Sequence, residues 1–161
     1  MAQPYHPAYI TAGGIFIDDI VFPDGRTAMG VLGGGVTHSA AGMVIWGQRP
    51  GLVAVAGRGL PPDVLLRLRR DFDLDGVQWL DIPQMRAWQL FEHDGRRTEI
   101  YRVEITEPFI VGPQPELLPP SYRGARGIHL LRDDGIGPWR EALPGMTLLW
   151  EPAQQFMTPE N

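Results

Sequence analysis

Cysteine is absent from the 161 residues, which removes disulfides, thiolate nucleophiles and cysteine-based zinc sites together and fits a cytoplasmic protein. Long hydrophobic runs are missing as well. No stretch approaches the roughly eighteen apolar residues that a membrane-crossing helix needs, so no membrane partner is expected. The opening residues, Met1 to Pro7, have neither the basic nor the apolar region of a secretory signal. A basic stripe is also missing: the formal net charge is −5 and the arginines are scattered among acidic residues, which argues against nucleic acid as a partner. The four histidines, His6, His38, His93 and His129, lack metal-ligand spacing. Asp71 to Gly76 looks like the start of a calcium loop, but the twelfth position is Ile82 where a glutamate is needed. No metal site is expected. Ser39 and Ser121 have no base partner recognisable in the sequence, so a hydrolase triad is not expected either.

What is present describes one folded core. A chain of this length can bury roughly two thirds of its unfolded surface, and 43% hydrophobic with 20% charged residues is an ordinary balance for such a core. Glycine (20) and proline (16) are plentiful and imply many tight turns.

The hydrophobic pattern places the elements. Tyr9 to Gly14 reads as a short strand ending in glycine, and Ile15 to Phe22 continues the β signal past that break. Pro23-Asp24-Gly25 makes a turn, and Thr27 to Leu32 returns as a partner strand leading into Gly33-Gly34-Gly35. Val36, Ala40, Met43 and Val44 then recur at helical spacing, giving a helix from about Val36 to Trp46 that stops near Gly47. Leu52 to Ala56 is a continuous apolar run of the kind buried on both faces of a parallel sheet. Pro61-Pro62-Asp63 opens a second helix with Val64, Leu65, Leu68 and Phe72 on one face. This βαβα order argues for a layered α/β fold.

The middle of the chain breaks the rhythm. Arg86 to Glu92 and Arg97 to Val103 form a hairpin through Asp94-Gly95, expected to project from the main sheet. A proline-rich stretch from Pro108 to Pro120 carries the chain back. Gly127 to Leu131 and Met146 to Trp150 read as two further core strands around a short helix near Trp139 to Leu143. At the end, Thr158-Pro159-Glu160 has the residues of a helix start, yet only Asn161 follows. The expectation is a fold that continues beyond this point.

A glycine-rich turn between strand and helix offers free backbone N–H groups at the positive end of a helix dipole, a seat for hydroxyls or anions. The common nucleotide motifs do not fit it. There is no G-x-x-x-x-G-K-[ST], and Gly33-x-Gly35-x-x-His38 lacks the third glycine of the dinucleotide fingerprint.

Gly13-Gly14-Ile15-Phe16-Ile17-Asp18-Asp19-Ile20-Val21, the turn at Phe22 to Gly25, and Gly33-Gly34-Gly35-Val36-Thr37-His38-Ser39-Ala40-Ala41 follow one another in a telling order. That order and spacing resemble the start of the ribokinase (PfkB) family of carbohydrate and nucleoside kinases. The resemblance continues through Val53 to Gly57, the hairpin of Trp88 to Val103, and Leu149-Trp150-Glu151-Pro152, and so covers nearly the whole chain. It implies a ribokinase-like α/β fold with a mainly parallel sheet, flanking helices and a projecting β-lid from segments about 15–32 and 86–104. It also implies that 1–161 is a single partial domain, the amino-terminal half, incomplete at its carboxy-terminal end.

By the same resemblance, Asp18 falls on the aspartate that binds substrate hydroxyls, Gly33, Gly34 and Gly35 on the glycine loop, and His38 on a position often held by asparagine. A turn or solvated carboxylate for Asp18, and a packed or capping role for His38, remain alternatives. Gly59, Arg132 and Glu151 depart from the family pattern and point to a divergent subgroup. ATP and Mg2+ are the implied cofactors, but the half that binds them, with its Gly-Ala-Gly-Asp type motif and catalytic base, is not in this sequence. No catalytic residue is therefore assigned. The expected function is the substrate-binding portion of a sugar or nucleoside kinase, inactive alone. The alternative is a non-catalytic binding or oligomerisation module derived from one. The expected partners are a small-molecule sugar or nucleoside and either a second copy, as a homodimer, or the missing half.

Overall fold

The structure, a computed structural model, describes residues 5–131 and 136–152. The helix start at Thr158 and the departure at Arg132 lie outside them.

Two sheets organise the chain. Tyr9–Ala12 (β1), Gly51–Arg58 (β4), Val77–Pro83 (β5), Gly127–Leu130 (β8) and Thr147–Trp150 (β9) make a five-stranded sheet in the order β5-β4-β1-β8-β9, with every neighbouring pair parallel. Phe16–Val21 (β2), Thr27–Gly33 (β3), Arg86–Phe91 (β6) and Arg97–Tyr101 (β7) make a second sheet in the order β3-β2-β6-β7. The expected parallel core and projecting lid are thus separate sheets. Two antiparallel hairpins, β2/β3 and β6/β7, build the second one, and β2 and β6 join them side by side in parallel.

The parallel sheet is buried because both faces are covered, which is why β4 reads as an unbroken apolar run in place of an alternating one. Leu52, Ala54 and Ala56 face one layer with Val36 and Ala40 of the helix Gly35–Ile45 (α1) and Val64 and Leu68 of the helix Pro62–Asp71 (α2). Ile10, Ala12, Ile128 and Leu130 face the other layer. There Leu118 and Tyr122 of the proline-rich return meet Trp139 and Leu143, which belong to and follow the short helix Gly137–Ala142 (α4). The return itself is more structured than its prolines indicated. It contains the helix Glu107–Val111 (α3) and two 3-10 turns, Pro115–Leu117 and Pro120–Tyr122, each opened by a proline at its first or second position.

One strand escaped the sequence reading. In β5 only Val77 is buried, and Gln78, Trp79 and Asp81 are exposed, as an edge strand permits. That mixture hides the period-two alternation by which half-buried strands are recognised.

Tyr122 closes the second layer. Its hydroxyl donates to the Asp73 carbonyl at 3.0 Å and to the Asp73 carboxylate at 2.5 Å. Burial, and then the Asp73 hydrogen bond, push the phenol far above its ordinary range. The ring lies where side chains at Gly51 and Gly76 would otherwise be. A β-carbon on Gly76 would stand 2.5 Å from the Leu52 carbonyl oxygen and 2.6 Å from the ring, and a backbone atom cannot step aside cheaply. Gly76→Ala should lower the unfolding free energy by about 1–3 kcal/mol in a urea titration. Gly42→Ala, in open space on α1, should instead raise it by about 0.5–1 kcal/mol.

Candidate functional site

β2 carries two consecutive aspartates, and a strand sends consecutive side chains to opposite faces. Asp19 is fully buried. Arg86 grips it through Nε at 2.6 Å and Nη2 at 2.7 Å, Arg102 donates to it through Nη1, and the Gly30 N–H adds a bond of 2.9 Å. The Arg86 hydrogen bonds are the main reason its carboxyl is held down, from the ordinary value of 3.8 to about 2. Arg102 itself lies over the Trp88 ring, its Cζ 4.7 Å from the ring centroid.

Asp18 projects from the other face of the sheet and is half-buried. A β-carbon on Gly33 would lie 1.9 Å from Asp18 Oδ2, so the carboxylate occupies the space that a side chain at position 33 would fill. The neighbouring glycines are squeezed in turn. Gly34 has φ of 92°, and a β-carbon there would meet the Gly14 carbonyl oxygen at 2.1 Å; one on Gly35 would meet Leu131 at 2.6 Å. The triple glycine therefore threads between β2, the end of β1 and Leu131, and opens α1 at the spot where Asp18 arrives. Thr37 holds the turn by donating from its hydroxyl to the carbonyls of Gly33 and Gly34, both at 2.9 Å. His38, exposed in the first turns of α1, is close enough for its charge to act on Asp18.

Two further polar residues were not singled out from sequence. Gln89 Nε2 donates both to Asp18 Oδ1 at 3.1 Å and to Glu99 Oε1 at 2.7 Å. Its own Oε1 is buried, with no partner among the described residues. The signal was available: the Asp94-Gly95 turn fixes the β6/β7 register, which sets Gln89 opposite Glu99. Burial raises the Asp18 pKa and the Gln89 hydrogen bond opposes that rise; Glu99 raises it further, while His38 and Arg97 lower it. The result is a carboxylate with unspent acceptor capacity beside a closely packed glycine turn, and such a carboxylate can accept bonds from paired hydroxyls.

Other sequence candidates fall elsewhere. Ser39 Oγ lies 2.8 Å from His129 Nδ1, and His129 Nε2 lies 3.3 Å from Glu151 Oε2. The serine does find a histidine in space. It sits in the body of α1, where helical bonding engages the backbone N–H groups an oxyanion would need, so the chain of contacts ties α1 to β8 and to the residue after β9. Gly59 lies at the end of β4 with φ of 90°. Among the described residues no group of three or more histidine or acidic side chains is assembled to hold a metal ion.

The comparisons with known proteins bear on the fold. No family model matches the chain. It is 29% identical over 123 residues to the cytidine kinase of Thermococcus kodakarensis, a match that covers 75% of this chain and 42% of that protein. Among solved structures, a nucleoside kinase of Burkholderia thailandensis in complex with inosine superposes with a TM-score of 0.68 at 16% identity, over 92% of this chain and 53% of that one. A proposed ribokinase II from E. coli in complex with ATP and Mg2+ gives 0.72 at 14% identity, over 91% and 53%. The fold is that of the ribokinase-like kinases, and the chain spans about half the length of these relatives.

The Asp19 cluster makes acid stability its readout. A carboxyl held below its unfolded value stabilises the fold above that value and loses the contribution as pH falls through the folded one. Asp19 should therefore contribute on the order of 2 kcal/mol at neutral pH, disappearing between about pH 4 and pH 2. Asp19→Ala, which strands two arginines, should cost about 3–5 kcal/mol at pH 7 and should flatten this part of the stability-versus-pH curve measured by urea denaturation.

Proposed function

We propose that the chain binds the sugar portion of a nucleoside or a free sugar between Asp18 and the Gly33 to Gly35 turn. In this reading it is the substrate-binding part of a ribokinase-type kinase that phosphorylates a hydroxyl with ATP. The observation that carries it is the packing of the Asp18 carboxylate against Gly33, with Gln89 and Glu99 alongside. Asp18 accepts bonds from two neighbouring hydroxyls, the backbone of the glycine turn lines the opposite wall, and His38 stands at the rim. The relatives described above, a cytidine kinase and a nucleoside kinase with inosine, favour a nucleoside.

A second reading has its own support. The chain spans about half the length of these relatives. In this reading the chain serves as a binding module, and turnover depends on its association with another polypeptide. Among the described residues β9 lies at the margin of the parallel sheet, and its Leu149 is 59% exposed. Apolar surface beside a sheet edge favours association, as a homodimer or with the remaining half. Residence in the cytoplasm belongs to the same reading.

Calorimetry with cytidine, inosine and ribose tests the binding claim. At least one should bind, and Asp18→Ala should weaken it by about tenfold or more, since a hydrogen bond to a charged group contributes roughly 1.5–3 kcal/mol. Affinity should rise with pH as the raised Asp18 carboxyl ionises and then level off. Binding unaffected by Asp18→Ala refutes the pocket, and robust phosphate transfer from ATP by the isolated chain refutes the module reading.

A further inference from the structure

The face of the second sheet that turns away from Asp18 carries a separate basic pocket. Every cation in this chain is an arginine, since the fourteen Lys and Arg residues include no lysine. Three of these arginines, Arg58, Arg86 and Arg102, line one cavity of about 220 Å3, together with Pro83, Gln84 and Val103. They reach it from different elements: Arg58 from the end of β4, Arg86 from the start of β6, and Arg102 from just beyond β7.

Among the described residues the three are not fully neutralised where they meet. Asp19 takes bonds from Arg86 and Arg102, and Asp81 pairs with Arg58 at 2.8 Å, so two carboxylates answer three guanidiniums and one positive charge is left over. Donors are left over as well. A guanidinium carries five N–H groups; Arg86 gives two to Asp19 and Arg102 gives one, so most of their ten remain for another acceptor. The donors are also held in place, because the buried Asp19 fixes both groups from behind and the Trp88 ring supports Arg102. Such pre-organised forks match the planar or tetrahedral oxygens of an anion, and little ordering entropy remains to be lost on binding.

We propose that this cavity is an anion site for a phosphate-bearing small molecule, with Arg86 and Arg102 as its buried-carboxylate-bound wall and Arg58, paired with Asp81, as its exposed one. Phosphate fits better than a single carboxylate because it presents more oxygens and close to two charges to a site where three guanidiniums converge. The site is distinct from the nucleoside site proposed at Asp18, since Asp18 and Asp19 point to opposite faces of β2. It stands or falls independently of the nucleoside reading.

Inorganic phosphate is the probe. It would be titrated into the full chain by calorimetry and followed in parallel by the NMR signals of the arginine Nε–H groups. Saturable binding of one phosphate per chain is expected, with shifts confined to Arg58, Arg86 and Arg102 and weaker binding of acetate. Arg58 is 66% exposed at its side chain, so Arg58→Ala should fold, as circular dichroism can check, and should weaken phosphate binding about tenfold. Asp18→Asn should leave phosphate binding unchanged even if it abolishes nucleoside binding. Non-saturating shifts spread over all arginines and removed by about 0.3 M salt, or equal affinity in Arg58→Ala, would overturn the site. So would a phosphate-independent dimer, seen in sedimentation, that buries Arg58: that result assigns the face to a second copy.

Discussion

The arrangement turns on a single buried charge, the Asp19 carboxylate, and on the two arginines that neutralise it. A carboxylate cannot be taken out of water unpaired without a cost of several kcal/mol, so the sheet that buries Asp19 must bring Arg86 and Arg102 to it. Those arginines stand at the start of β6 and just beyond β7. Their attachment to β2 joins two hairpins, far apart in the sequence, into one sheet with a single register. A slip of one residue would turn Asp19 outward and bury Asp18 against the arginines. The ion cluster thus specifies where every other side chain of this sheet points.

Given that register, the candidate pocket follows from alternation and from the absence of side chains. Asp18 faces the glycine turn because Asp19 cannot. The turn accepts the carboxylate because a β-carbon at position 33 would collide with it, and the same turn is pinned by Gly14 and Leu131 at its next two residues. The glycines serve close packing of protein against protein at least as much as they open the backbone to a ligand. Burial then leaves Asp18 short of solvent and of strong partners, in contrast to its neighbour: one carboxyl is held down to about 2, and the other is raised. Adjacent residues of identical chemistry are given different tasks by the face they occupy, one structural and one available.

Much of the fold was legible in the sequence because its signals are local. The apolar run of β4, the proline-opened α2, the Asp-Gly hairpin and the glycine start of α1 lie within a residue or two of their expected positions. β5 was missed because an edge strand with one buried residue has no clear period. The side-by-side parallel pairing of β2 with β6 was also not foreseen, because it depends on the Asp19 cluster, whose members are 67 and 83 residues apart. The site divides in the same way. Asp18 and the glycine turn carry a pattern that stands out along the chain, whereas Gln89 and Glu99 join them only through hairpin register. The meeting of Ser39 with His129 shows the opposite hazard, since residues that suggest chemistry in space can serve to fasten a helix to a sheet.

The central claim is that Asp18, freed by the burial of Asp19, receives the hydroxyls of a sugar. The most direct measurement is carbon-13 NMR of aspartate carboxyls in a labelled chain titrated with cytidine, read together with the amide signals of the glycine turn. The Asp18 carboxyl and the amides of Gly33 to Gly35 should shift along one saturation curve while the Asp19 carboxyl stays still. An Asp18 signal that does not move while cytidine saturates another part of the chain would contradict the account.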